Sequence, residues 1–164
     1  MRALLQRVRR AEVRVASDRI AAIGPGLVVF LGVGRADDAA TATALARRIA
    51  ELRIFEDDAG RTNRSLLDVG GRVLVVSQFT LYADTSRGRR PGFTAAAPPE
   101  VAEPLWATFC DGLAAVGVAV ERGRFGAAME VELVNDGPFT IWLDTERCGS
   151  STDAAVSPRS GRPW

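Results

Sequence analysis

Between Ala3 and Ala16 the apolar residues Leu5, Val8, Val13 and Val15 sit among arginines in partial alternation, the period of a long strand with one buried face. A turn near Ser17 and Asp18 leads into a short return strand, Arg19 to Ile23. Gly24-Pro25-Gly26 is turn chemistry ahead of an unbroken apolar run, Leu27 to Val33. A run without polar interruption predicts a strand covered on both faces. Asp37 and Asp38 then open a helix through Arg53, because Ala42, Leu45, Ile49 and Leu52 recur at the helical period and the acids lie at its positive end.

Glu56 to Arg64 has turn composition, closing at Asp58-Ala59-Gly60, and Arg72 to Thr80 is another apolar strand. The polar stretch from Ala83 to Phe93 reads as an exposed loop. Pro98-Pro99-Glu100 starts a second helix that reaches about Val116. Val118 to Arg122 and Ala128 to Val134 are strands, Asn135-Asp136-Gly137-Pro138 interrupts, and Phe139 to Leu143 closes the core. From Glu146 to Trp164 apolar side chains thin out among Ser, Gly, Pro and Arg, which predicts a disordered tail. Roughly seven strands and two main helices without regular βα alternation predict one α+β domain over residues 1–145, built on a mixed, barrel-like sheet. Gly24-Pro25-Gly26 offers no dinucleotide fingerprint.

The chain has 164 residues, 47% of them hydrophobic, enough for one domain with its own core. A net charge of +1 speaks against a polybasic coat, so any contact with nucleic acid is local. The opening MRALLQRVRR is too short and too broken by arginine for a secretion signal, and no apolar run approaches the roughly 20 residues that cross a bilayer. A soluble cytoplasmic protein is the expectation. Cys110 falls in an apolar helical pattern and is expected to be an inert core thiol. There is no histidine, and all 21 basic residues are arginine. Histidine triads, Schiff-base lysines, phosphate-loop lysines and histidine metal sites are thereby excluded, and arginine stays protonated at neutral pH. Any catalysis must come from carboxylates, hydroxyls, backbone amides or the substrate itself; no metal and no cofactor is expected.

Three segments are richer in polar or special residues than a fold requires. Ser77-Gln78-Phe79-Thr80 ends an apolar strand, either as an ordinary strand end or as a polar mouth whose freed N–H groups meet a substrate oxygen. Asn135 to Pro138 is either a plain turn or a functional loop. Arg87, Arg89 and Arg90 are either a solvated loop or a phosphate contact.

Ser77 to Asp84 (SQFTLYAD), Gly88-Arg89-Arg90-Pro91, Asn135 to Thr140 (NDGPFT) and Gln6-Arg7-Val8 together resemble the D-aminoacyl-tRNA deacylase family, over Met1 to about Thr145. The resemblance implies that Ser77, Gln78, Phe79 and Thr80 line the pocket for the aminoacylated terminal adenosine, with Phe79 and Thr80 at the reacting ester. It implies that Gly137-Pro138 is a cis pair reaching into the pocket of a second subunit, that Arg7 holds that loop, and that Phe125 and Met129, within Gly123 to Met129, contact adenine. The partners it implies are D-aminoacyl-tRNA, glycyl-tRNA and a second copy of the chain, with Arg87, Arg89 and Arg90 on tRNA phosphates. A stiff main-chain wall would exclude L side chains and admit glycine, whereas a soft pocket that reads one methyl group discriminates by only about 1–3 kcal/mol. Without histidine or lysine, Thr80 has no base to activate it, which favours attack by water assisted by the ribose 2′-hydroxyl. Phe139 in place of a smaller apolar residue, Gly92 in place of serine and the long tail depart from the family pattern. Two rivals remain: a relative that edits L-alanyl-tRNA, with the Gly-Pro bond trans, and a noncatalytic dimeric nucleic-acid-binding module.

Overall fold

A computed structural model describes residues 1–148. The first strand, β1, runs from Arg2 to Val15, and β2 (Asp18–Ile23) turns back along its second half. β3 (Gly26–Gly32) pairs antiparallel with the first half of β1, and α1 (Ala39–Glu51) follows, capped by the Asp38 carboxylate on the Thr41 N–H at 2.8 Å. Asp37, expected at the helix start, instead binds the Gly34 N–H at 2.6 Å and ties the end of β3 to the helix.

The turn expected over Glu56 to Arg64 is a small hairpin of β4 (Phe55–Glu56) and β5 (Thr62–Arg64), too short to leave an alternating signal. β6 (Arg72–Ser77) lies parallel to β3, and β7 (Ala119–Arg122) lies parallel to β6. Between them runs α2 (Pro99–Ala115), with Pro99 in its first turn. The strand expected through Thr80 ends at Ser77, since Phe79–Tyr82 forms a 3₁₀ turn. The last strand, β8 (Glu130–Asp144), is continuous where an interruption was expected, and pairs with almost all of β1. The sheet order is β2-β1-β3-β6-β7 with β8 added on β1, a mixed sheet that curls toward a barrel. A short helix, α3 (Thr145–Cys148), occupies the start of the segment expected as a tail; the remainder of that segment lies outside the described residues.

The sheet separates two apolar clusters. Leu27, Val29, Leu31, Val73 and Val75 face α1 and α2, whose Leu45, Ile49, Phe109 and Leu113 complete the larger core. Val28, Leu74 and Val76, the alternate residues of β3 and β6, face the inside of the curl with Val13 and Ile23. The unbroken apolar runs are thus central strands covered on both sides.

β1 changes sides along its length. Ala3 and Leu5 belong to the helix-side core, whereas Ala11 and Val13, of the same parity, belong to the inner one. A one-residue slip between strands exchanges the two faces, and the β1–β8 register shifts between Val8 and Arg10 do this. That is why the alternation along the sequence is only partial.

Cys110 is buried in the helix-side core, and burial pushes its thiol up to about 12. Iodoacetamide at pH 8 should therefore leave Cys110 unmodified until denaturant is added; peptide mass spectrometry showing its alkylation in the folded protein would contradict an inert thiol.

Candidate active site

β3, β6 and β7 run parallel, so their carboxyl ends open on the same edge of the sheet, where ligands collect in open parallel arrangements. A cleft of about 610 Å³ lies there. Leu31, Val33 and Arg35 enter it from the end of β3, Val76 to Phe79 from the end of β6, and Phe125 to Ala127 with Met129 from the segment after β7. Pro98, Pro99, Ala102 and Trp106 add the α2 side. The Trp106 and Phe125 rings are 6.0 Å apart, and the buried Trp106 indole N–H has no partner among the described residues.

Gly123 donates its N–H to the Val75 carbonyl at 2.9 Å, and a Cβ there would lie 2.8 Å from the Met129 sulfur. A side chain at this position would push that flexible thioether off the end of the parallel sheet. At the rim, Phe79 is 58% exposed and meets Phe93 edge-to-face at 5.0 Å. An exposed phenylalanine beside an apolar cleft is a ready stacking surface for a flat ligand.

The chain reaches this rim by a sharp change of direction. Gln78 donates its N–H to the Leu31 carbonyl at 2.7 Å as the last sheet bond, and the 3₁₀ turn begins at once. The first N–H groups of a helical turn have no earlier carbonyl to bond, and none among the described residues accepts from Phe79 or Thr80. The Gln78 amide donates to the Thr80 hydroxyl and fixes it on the outer side of the turn.

A second constellation sits on the β1–β8 ladder. Between the Gln6–Thr140 and Val8–Asn135 pairs β1 has only Arg7, while β8 inserts Asp136 to Phe139. Arg7 is buried. Its Nη1 donates to the Ile54 carbonyl at 2.6 Å, its Nε lies 2.9 Å from an Asp136 carboxylate oxygen, and its guanidinium carbon is 4.2 Å from the Phe139 ring centre. Asn135 donates to the carbonyls of Arg7 (2.8 Å) and Phe139 (3.2 Å), closing the insertion at its base. The Gly137–Pro138 peptide at the tip is cis, and both residues are exposed. Phe139 packs under Arg7 and against the helix-side core and does not line the cleft of its own chain.

A family model described as D-Tyr-tRNA(Tyr) deacylase matches residues 4–144. The chain belongs to the D-Tyr-tRNA(Tyr) deacylase family. A D-aminoacyl-tRNA deacylase of Thermomicrobium roseum is 60% identical over 93% of this chain and all of its own length, and one from Roseiflexus sp. is 60% identical over 88% of this chain and 94% of its own. A solved structure called c-Myc DNA Unwinding Element Binding Protein superposes with a TM-score of 0.83 at 39% identity, covering 88% of this chain and 98% of that one. A probable eukaryotic D-amino acid tRNA deacylase, at 18% identity and a TM-score of 0.73 over 87% of this chain and 97% of that one, shares the fold.

Within this deacylase family member, the residues singled out from sequence divide into three groups. Ser77, Gln78, Phe79, Phe125 and Met129 come together on the cleft, with Thr80 one step beyond its rim. Arg7, Gly137 and Pro138 come together on the β1–β8 insertion and do not line the cleft of their own chain. Arg87, Arg89 and Arg90 are exposed on a loop closed by paired Asp84–Gly92 backbone bonds of 2.8 Å, and Ser86, by side-chain and backbone hydrogen bonds, holds the Asp84 carboxyl below its usual range. Arg35, Phe93 and Trp106 were missed. A lone arginine or aromatic residue carries no spacing signal; only the parallel strand order brings them to one edge.

Arg7→Met keeps the apolar stem but leaves the Ile54 carbonyl unpaired, and should lower stability by about 1–3 kcal/mol in urea melts. Asp136→Asn removes the charged partner of a buried guanidinium but leaves its main-chain acceptors, the Asp136 and Ile54 carbonyls, and should cost less than Arg7→Met, on the order of 1 kcal/mol. Equal losses would show that Arg7 serves only as the counter-charge of Asp136.

Proposed function

We propose that this chain hydrolyses the ester joining a D-amino acid, or glycine, to the 3′ end of a transfer RNA, as a cytoplasmic homodimer that proofreads chirality. The observation that carries this reading is the turn at Phe79. Two unclaimed N–H groups stand at the rim of an apolar cleft, in a chain 60% identical to D-aminoacyl-tRNA deacylases along most of its length. The cleft takes the terminal adenosine, with Phe125 and Met129 on the base and Ser77 and Gln78 beside the ribose.

Exposure of Gly137 and Pro138, away from their own cleft and braced by Arg7 and Asn135, supports their donation to the cleft of a second copy. There their main chain fills the space that an L side chain would need, while an α-hydrogen fits. Glycine, with hydrogen on both sides, passes the same test. Selection by exclusion needs no pocket for a particular side chain.

In the reaction, the ribose 2′-hydroxyl orients a water molecule onto the ester carbonyl carbon. The carbonyl oxygen gains charge toward the Phe79 and Thr80 amides, the bond to the 3′ oxygen breaks, and that oxygen leaves with the proton taken from water. Positioning can lower a barrier by about 7–11 kcal/mol, and one oxyanion donor contributes about 3. For an already activated ester these suffice without a side-chain base. Thr80, held by Gln78, shapes the turn.

Parallel assays on D-tyrosyl-, L-tyrosyl- and L-alanyl-tRNA should show cleavage of the D-ester alone. Cleavage of L-alanyl-tRNA would place the chain with the L-alanine editors. Substrate ending in 2′-deoxyadenosine should be nearly inert, while Thr80→Ala keeps a substantial part of the rate; the reverse pair of results would make Thr80 the nucleophile.

One similar solved structure carries the name of a DNA-element-binding protein, which favours a noncatalytic nucleic-acid-binding module as the second reading. No turnover with retained RNA binding would select it. On either reading, replacing Arg87, Arg89 and Arg90 together should weaken tRNA binding and flatten its salt dependence, because each phosphate contact releases counterions. Unchanged binding would remove this loop from the interface.

A further inference from the structure

Of the described residues lining the cleft, Arg35 is the one with a charged side chain. It follows β3 and is exposed at the mouth of a mostly apolar space. Its setting is unusually fixed for a loop residue. The Gly34 N–H bonds Asp37 at 2.6 Å, Gly34 forms a bridge with Ala96, and the Arg35 N–H bonds the Ala95 carbonyl at 3.3 Å. A Cβ on Gly34 would lie 2.6 Å from the Tyr82 hydroxyl oxygen, so the backbone is pressed close to that ring. The Arg35 Nε donates to the Thr94 carbonyl at 2.5 Å, which ties the guanidinium to the chain just after Phe93, itself a lining residue of the cleft.

The acids nearest in sequence are already committed. Asp37 takes the Met1 amine and the Gly34 N–H, and Asp38 caps α1. No carboxylate among the described residues forms an ion pair with Arg35. A guanidinium anchored through Nε keeps its two Nη groups as a planar fork, the geometry that grips a phosphate through two hydrogen bonds.

We propose that Arg35 binds the 5′-phosphate of the terminal nucleotide and so sets how deeply its sugar sits in the cleft. This rests on the nucleotide-ester reading above. A base held in the apolar cleft with its 3′ ester at Phe79 and Thr80 leaves one anionic group, the 5′-phosphodiester, and it must leave through the mouth toward the rest of the RNA. Arg35 waits there with an unpaired charge. Its role is distinct from that of Arg87, Arg89 and Arg90, which lie off the cleft. Arg35 is a positioning residue, since it would touch the phosphate and not the ester.

The test uses two small esters: 3′-O-D-tyrosyl adenosine with a free 5′-hydroxyl, and the same compound carrying a 5′-methyl phosphodiester. The wild-type protein should favour the phosphodiester by about tenfold or more in kcat/KM, mostly through KM. Arg35→Gln should bring that ratio to about one, and Arg35→Lys, which keeps charge but loses the fork, should fall between. Because the readout is a ratio within one variant, partial loss of folded protein cancels. An unchanged ratio in Arg35→Gln, or no preference in the wild type, overturns the proposal. A wild-type protein that cleaves neither these esters nor D-tyrosyl-tRNA sinks the hydrolase reading as well.

Discussion

The buried guanidinium of Arg7 constrains the structure more than any other single group. It occupies the next position on the face of β1 that carries Ala3 and Leu5, where the period of a strand calls for an apolar side chain. A charge removed from water costs several kcal/mol unless it is paired and hydrogen-bonded. Arg7 meets that cost by drawing in the Ile54 carbonyl, Asp136 and the Phe139 ring from two other parts of the chain. The insertion in β8 is the geometric result: four residues must arch outward to leave room for one arginine beneath them. Gly137 and Pro138 are thereby lifted clear of the ladder, at a place fixed by core packing and not by loop preference.

The cleft has a different origin. Parallel β3, β6 and β7 have to be connected by crossovers, and the helices of those crossovers cover one face of the sheet, so the strand ends are left open at the edge. The chain after β6 cannot continue as a strand past Ser77, and its turn frees the Phe79 and Thr80 amides at that opening. The antiparallel half of the sheet thus displays the Gly-Pro tip, while the parallel half forms the cavity. One chain carries both parts but does not bring them together.

Much of this was legible in the sequence where periodicity decides the matter. The apolar runs of β3 and β6 and the spacing of Leu45 and Ile49 fixed the central strands and the first helix to within two or three residues. Two errors came from turn chemistry. Asn135 to Pro138 reads as a break between two strands, yet the chain stays one strand, β8, and only its pairing with β1 lapses, over Asp136 to Phe139. Thr80 has strand propensity, yet it lies in a 3₁₀ turn, since the sheet neighbour of β6 ends and the backbone must bond elsewhere. At the cleft, Ser77 to Thr80 stood out as a polar end on an apolar strand and gained a role through resemblance, whereas Phe125 and Met129 were found through resemblance alone. Arg35 and Trp106 were not found at all, because their meaning depends on distant strands becoming neighbours.

The proposed site, made largely from main chain, would also account for a chemistry with no histidine or lysine. Backbone amides do not titrate and cannot swing away, so a donor pair at the start of a turn is organised before substrate arrives, and no free energy is spent turning dipoles during reaction. The same would hold for the proposed selection against L-esters. A side chain that blocked the L configuration could rotate and admit a fraction of the far more abundant L-esters, whereas a main-chain wall braced by Arg7 and Asn135 has no rotamer to escape into. On the proposed reading, main chain without rotamers would thus serve at the two places where error is most costly: the turn that would receive the ester oxygen and the arch that a neighbouring copy would meet.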